Sequence, residues 1–220
     1  VQIGEQCWFA ENLRNENYDN GDAISSNLSA SNWVSTTEGA VAVFGEGSSN
    51  CWQSSPDGDA CDEAWSLNEY GRLYNWYAVD DARGLCPSGW HVPTDGEWMT
   101  MEMALGMSEA DANSEGGGGS VRGTDQGLQM KASNSWQIYP GFIGTNTSGF
   151  SGLAGGYRRN GPPNSGVFYN AGSNAQFWSS SSEGTTIGWK RMLGYGHGYV
   201  NRLSWPKTAG CSIRCVRDAE

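Results

Sequence analysis

The sequence predicts an α+β domain, and three observations carry that reading. Helical signals are few and confined to the first 131 residues, the strand signals after them are short, and glycine, asparagine and serine punctuate the strands throughout. The firmest helix start is Thr94-Asp95-Gly96-Glu97, a capping box in which threonine accepts a backbone N–H and glutamate accepts another in return. It predicts a helix through about Leu105, with Trp98, Met101 and Leu105 facing inward. Tyr70 to Ala82 places Leu73, Trp76 and Tyr77 on one apolar stripe and predicts a second helix. A short third helix is expected over Thr124 to Lys131, and Pro87 and Pro93 frame an extended connector at Gly89 to Val92.

The strands are legible by alternation. Trp189 to Leu193 predicts one strand with Trp189, Arg191 and Leu193 on the core face and Lys190 and Met192 on the open face. Tyr199 to Leu203 predicts another, with Val200 and Arg202 opposite Tyr199, Asn201 and Leu203. Ile213 to Val216 reads as a terminal strand.

Composition narrows the function. At 220 residues, with 32 glycines and 11 tryptophans, the chain reads as a single domain, 1–220, whose many turns are offset by rigid apolar rings. A net charge of −11 and only three lysines argue against nucleic acid and anionic membranes as partners. No apolar run approaches the roughly 20 residues of a membrane span. Six cysteines and low lysine point to an oxidising, extracellular or cell-surface setting, with the chain as part of a larger exported protein. Residues 25–65 read as an insertion, and the part of it around Cys51 and Cys61 has little apolar content. Residues 115–120, Glu-Gly-Gly-Gly-Gly-Ser, resemble an engineered or flexible spacer replacing a mobile loop.

Candidate chemistry is sparse. Cys51 and Cys61 bracket a short polar loop that a local disulfide would staple. Within it, Asp57, Asp59, Asp62 and Glu63 are a candidate oxygen-ligand set for calcium, or else a solvated acidic loop. His91 reads as a packed or hydrogen-bonded core group and His197, between two glycines, as a contact residue on a loop. No phosphate loop, metalloprotease motif or nucleophile elbow is present, so no catalytic residue and no required cofactor is assigned. Tyr169, Phe177, Tyr195, Tyr199 and Trp205 lie among Asn, Ser and Gly, the composition of antibody-like contact surfaces, although Phe177 fits a core better.

Motifs spread over the whole chain carry a resemblance. Val1-Gln2-Ile3-Gly4-Glu5-Gln6-Cys7-Trp8-Phe9-Ala10-Glu11-Asn12-Leu13 resembles the opening of the Fibrobacter succinogenes major paralogous domain of secreted bacterial proteins. Tyr70-Gly71-Arg72-Leu73-Tyr74-Asn75-Trp76-Tyr77 and Cys86-Pro87-Ser88-Gly89-Trp90-His91-Val92-Pro93-Thr94 are similar to its middle motifs. Gly149-Phe150-Ser151-Gly152-Leu153, Phe177-Trp178-Ser179-Ser180-Ser181 and Arg214-Cys215-Val216-Arg217-Asp218 are similar to its end. Residues 25–65 and 108–122 match only loosely.

The resemblance implies a C-type lectin-like fold: two main helices, small antiparallel sheets closed by the joined chain ends, and long loops. It further implies kinship with the variable proteins of diversity-generating retroelements, in which a rigid frame displays rewritten positions near the C-terminus. The frame would be Trp178, Trp189, Arg191, Leu193, Val200, Arg202 and Arg214, within a display region at 157–210. The displayed positions would be Lys190, Met192, Tyr195, His197, Tyr199, Asn201, Leu203 and Trp205, joined by the aromatic candidate Tyr169. Cys86 would pair with Cys215, and Cys7 with Cys211, although four cysteines allow three connectivities.

The expected function is therefore an extracellular ligand-recognition module for a protein or glycan ligand on a cell or phage-host surface. One alternative is a formylglycine-generating-type oxidase, which shares the lectin-like architecture and holds copper(I) on a cysteine pair such as Cys211 and Cys215. The other is a carbohydrate-binding lectin. Since Glu-Pro-Asn and Gln-Pro-Asp are both absent, its sugars would stack on aromatics rather than bridge through calcium.

Overall fold

The computed structural model describes residues 1–47, 55–116, 121–161 and 165–219. Helices and strands alternate early and strands dominate late, as the α+β expectation requires. The chain ends meet in a three-stranded sheet, where β1 (Gln2–Ile3) and β10 (Val216–Asp218) flank β2 (Gln6–Trp8). Alternation along β2 buries Gln6 and Trp8 and turns Cys7 outward.

The helix expected over 70–82 does not form as one element. α2 (Glu63–Tyr70) begins on Asp62, whose carboxylate accepts from the N–H groups of Ala64 and Trp65. It stops at Gly71, where φ is 73° and ψ −149°, a backbone that glycine adopts at little cost. The chain then extends as β4 (Arg72–Tyr74), pairs with β3 (Val41–Val43), and turns into the one-turn α3 (Trp76–Val79) capped by Asn75. Leu73 is therefore a strand residue buried in the core. The apolar stripe was present, but backbone pairing outcompeted its helical period.

The capping box behaves as expected. Thr94 and Glu97 exchange both hydrogen bonds at the start of α4 (Asp95–Ala104), with Trp98 and Met101 buried and Leu105 at the C-cap. His91 differs from expectation: it is exposed, with Nε2 2.5 Å from Glu97 Oε1. After α5 (Glu109–Asn113) comes α6 (Gln126–Met130), shorter by two residues at the start and one at the end than expected. The 25–65 segment contributes α1 (Ala30–Ser35) and β3, and it sends Trp33 and Phe44 into the core. The terminal strand starts at Val216 rather than Ile213.

The largest element is a five-stranded mixed sheet in the order β6-β5-β7-β8-β9. Its strands are β5 (Gly155–Arg158), β6 (Phe168–Ala171), β7 (Asn174–Glu183), β8 (Ile187–Gly194) and β9 (Asn201–Pro206). One aromatic cluster ties this sheet to α4 and β2. The Trp8 and Trp98 rings lie 4.8 Å apart, Trp98 and Phe177 5.8 Å, and Phe150 and Phe177 5.4 Å. Phe177 is thus a core residue. Arg214, fully buried, stacks on Phe150 at 4.5 Å and donates to the carbonyls of Phe9, Phe150 and Ser151.

Cys86 and Cys215 form a disulfide across 129 residues of sequence. Cys7 and Cys211 do not pair: both are free thiols, because Cys7 faces outward on β2 while Cys211 is buried beside Tyr74. The expected Cys51–Cys61 bridge involves Cys51, which lies outside the described residues. So do residues 117–120 of the glycine–serine segment. Gly116 does not behave as free spacer. Its N–H donates to the Arg202 carbonyl at 3.0 Å, and a Cβ there would meet Asn201 Oδ1 at 2.9 Å.

Candidate binding face

Cross-strand partners in an antiparallel pair share a face of the sheet. The register pairs Lys190 with both Trp178 and Leu203, Met192 with Gln176 and Asn201, and Gly188 with Trp205. Five of the predicted display positions, Lys190, Met192, Asn201, Leu203 and Trp205, therefore lie on one face. Tyr157 and Tyr169 are partners on β5 and β6 and stack at 6.1 Å, and Lys190 Nζ lies 5.8 Å from the Tyr157 ring. That places both tyrosines on the same face, with the Arg159 guanidinium 5.4 Å over Tyr169. Tyr169, Met192, Leu203 and Trp205 are half-buried, the exposure that a contact surface on a rigid sheet needs.

Two of the five are not displayed. Asn201 is buried because Gly116 packs directly against it. Lys190 is only 1% exposed, at the centre of the sheet. Its Nζ donates to Gln176 Oε1 and sits 3.7 Å from the Trp205 ring. Burial pushes its ammonium down to about 8. Below it, the Cys211 Sγ is 4.0 Å from Gln176 Oε1, and burial raises that thiol to about 12.

The remaining display positions form a second group beyond the end of β8. His197 and Tyr199 stack face to face at 3.8 Å, and Tyr195 meets Tyr139 edge-on at 5.8 Å. All three are half-buried. Burial lowers the His197 imidazole below its usual range, and the nearby Lys131 ammonium adds to this. Lys131 clamps the turn: its Nζ donates to the carbonyls of Phe142, Gly194 and His197 at 2.9–3.0 Å.

The opposite face of the sheet packs on α4 through ion pairs. Arg191 reaches Glu102 at 2.7 Å and Asp95 at 2.6 Å, Arg122 reaches Glu102 at 2.5 Å, and Arg202 reaches Asp95 at 2.7 Å. Trp189 belongs to this face but lies outside the core clusters. It is half-buried under the Arg202 guanidinium, 3.9 Å from its ring, rather than fully buried as the alternation predicted.

The acidic candidates do not converge. Asp57 accepts from Ser135 N, Asp59 from Cys61 N, Asp62 caps α2, and Glu63 accepts from Gly47 N. Each carboxylate is committed to a backbone amide, and no group of three or more metal-ligating side chains occurs among the described residues. The copper alternative meets a similar obstacle, because the Cys215 sulfur is joined to Cys86.

Sequence reading missed Gln176 and Tyr157 at the face and Glu102 and Arg122 behind it. Gln176 had a signal: it alternates with Phe177 and so shares the side of Trp178. Glu102 had none, since a glutamate one residue past an apolar helical position reads as solvated.

Fold and site together define an α+β domain in which a mixed five-stranded sheet is fastened to α4 on one face, while the other face packs on α3 around Trp76 and Trp178 and leaves Tyr169, Met192, Leu203 and Trp205 half-buried. The chain matches the Fibrobacter succinogenes major domain family over residues 1–217, and it belongs to that family. No curated protein matches it.

Proposed function

We propose that this domain is an extracellular recognition module that binds a protein or glycan ligand through the open face of the five-stranded sheet. The observation that carries the reading is the register: it gathers Tyr169, Met192, Leu203 and Trp205, all half-buried, on one side of a sheet whose other side is locked by ion pairs. Rigid aromatic and apolar anchors lose little entropy on binding, which is why such surfaces suit recognition. A C-type lectin-like scaffold with variable-protein display is the architecture we propose for it. The joining of the chain ends through β2 and β10, and the packing of α4 on the sheet, support this. An exported setting fits the Cys86–Cys215 disulfide, and no helix among the described residues is long and apolar enough to cross a membrane. A copper oxidase is not favoured, because one of the two thiolates it would use is held in that disulfide.

A glycan array run beside a pull-down of surface proteins tests the proposal, using the wild type and the Leu203→Ala and Met192→Ala variants. Binding should fall at least about tenfold in Leu203→Ala while both variants melt like the wild type. A ligand whose affinity no face variant alters would overturn it.

A further inference from the structure

Lys190 is a buried cation with no carboxylate partner among the described residues. Its one hydrogen-bond acceptor is the neutral amide oxygen of Gln176, and the Trp205 and Tyr157 rings and the buried Cys211 thiol lie around it. Most other buried cations contrast with it. Arg122, Arg158 and Arg191 each meet a carboxylate, while Lys131 and Arg214 each donate to three backbone carbonyls. Lys207 resembles Lys190 in lying over a ring, that of Trp76 at 3.8 Å, but it is less deeply buried, at 7% exposed, and donates to the Gly184 carbonyl. A second unfilled donor lies beside Lys190. The Trp205 Nε1–H is buried and has no acceptor among the described residues. A buried N–H without a partner costs free energy, so the indole holds a pose that it would gain by leaving or by filling. Trp205 is half-buried on β9, the outermost strand, one residue before Pro206. Its ring packs against the edge of the cluster that holds Trp76 and Trp178 and stays partly exposed, so it is the layer between Lys190 and solvent that an incoming group would displace.

We propose that Lys190 and Trp205 form a capped receptor for a ligand carboxylate, with the Trp205 indole as the movable cap. This rests on the recognition reading above and names the ligand chemistry. A carboxylate has two acceptor atoms, one for the unpartnered indole N–H and one for an ammonium whose present acceptor is a neutral amide, and a charge-assisted hydrogen bond in a desolvated site is the strong kind. In the free protein the aromatic ring substitutes for the anion through a cation–π contact. The lowered protonation range of Lys190 is the cost of that substitution, and a bound carboxylate would reverse it. The chain's net charge of −11 does not forbid an acidic ligand, since exposed charges beyond the roughly 8 Å screening length at physiological salt contribute little.

With three lysines in the chain, nuclear magnetic resonance of lysine-labelled protein gives a side-chain spectrum of three signals, assigned by Lys190→Met. The Trp205 indole signal is assigned by Trp205→Phe. The wild type is titrated with tetraglutamate peptide and with trigalacturonate, which separates a peptide source of the carboxylate from a glycan source. The neutral controls are tetraglutamine and the methyl-esterified trigalacturonate. At least one acidic probe should shift the Lys190 and Trp205 signals together and saturably. Its neutral counterpart should bind at least about tenfold more weakly, and Lys190→Met should lose the response. The proposal is overturned if neither acidic probe moves both signals, if a neutral control binds equally well, or if Lys190→Met retains the affinity. A neutral array ligand lost in Leu203→Ala would leave the recognition reading standing while this one failed.

Discussion

Arg191 and Lys190 are neighbours on β8, both are buried, and alternation sends them to opposite faces of the same sheet. Arg191 meets two carboxylates from α4, which also bind Arg122 and Arg202. Lys190 meets an amide and two rings. The first arrangement fastens helix to sheet, and removing a member strands a charge in the interior. The second carries a desolvation cost that an amide oxygen and ring contacts offset only in part. Burial alone therefore does not distinguish the two cations; the identity of the partners does.

The comparison breaks most visibly at Glu102. Glu102→Gln leaves Arg122 and Arg191 short of a counter-charge and should destabilise the domain by about 3–5 kcal/mol in urea unfolding. A loss below about 1 kcal/mol would show that the network is not structural.

Lys190→Met should do the opposite and stabilise the domain by about 1–3 kcal/mol at pH 7, because it removes an unpaired buried charge. The sign follows from the lowered ammonium. With the folded value at about 8 and the unfolded near 10.4, the wild type gains stability as pH rises between them and lacks that gain below about 8. The advantage of methionine should therefore be greatest below pH 8 and fade by about pH 10.5. Cys211, raised to about 12, works in the other direction over the alkaline range and is coupled to Lys190, so the two proteins are to be compared in a Cys211→Ser background. A pH-independent difference would mean that Lys190 is solvated.

Trp189→Ala sharpens the contrast on the ionic face. Its ring is half-buried under Arg202, so the loss should be about 1–2 kcal/mol rather than that of a fully buried tryptophan. Thermal melts of the variant would settle the size.

The smallest expected effect is at acid pH. Burial raises the Asp95 carboxyl, but hydrogen bonds from Arg202 and the charge of Arg191 more than reverse this and hold it below the usual range. Its contribution is present above the unfolded value near 3.9 and should be lost as pH falls through the lower folded value. An Asp95→Asn variant should accordingly show a shallower decline in stability below pH 4 than the wild type.

Much of this was legible in the residues. Thr94 and Glu97 specified the start of α4 because a capping box is local chemistry, complete within four residues. Leu193 and Arg191 were placed on the inner face because a strand alternates whatever it pairs with. The stripe at Leu73, Trp76 and Tyr77 misled, because a short apolar run is equally compatible with a strand followed by a turn of helix. Only the partner strand β3 resolves that choice.

Local backbone preference and side-chain period were thus the sequence's own contribution: the α+β class, the capped helix, the alternation of β8, and the family that these motifs mark. Tertiary structure decided what period cannot encode, namely which partner each side chain meets. The β8–β9 register placed Leu203 and Trp205 beside Lys190, while Gly116 sealed Asn201. The packing of α4 supplied Arg191 with carboxylates and offered Lys190 none. Those outcomes depend on residues brought together from up to about a hundred positions apart, and electrostatic and burial energies act only once the atoms are near.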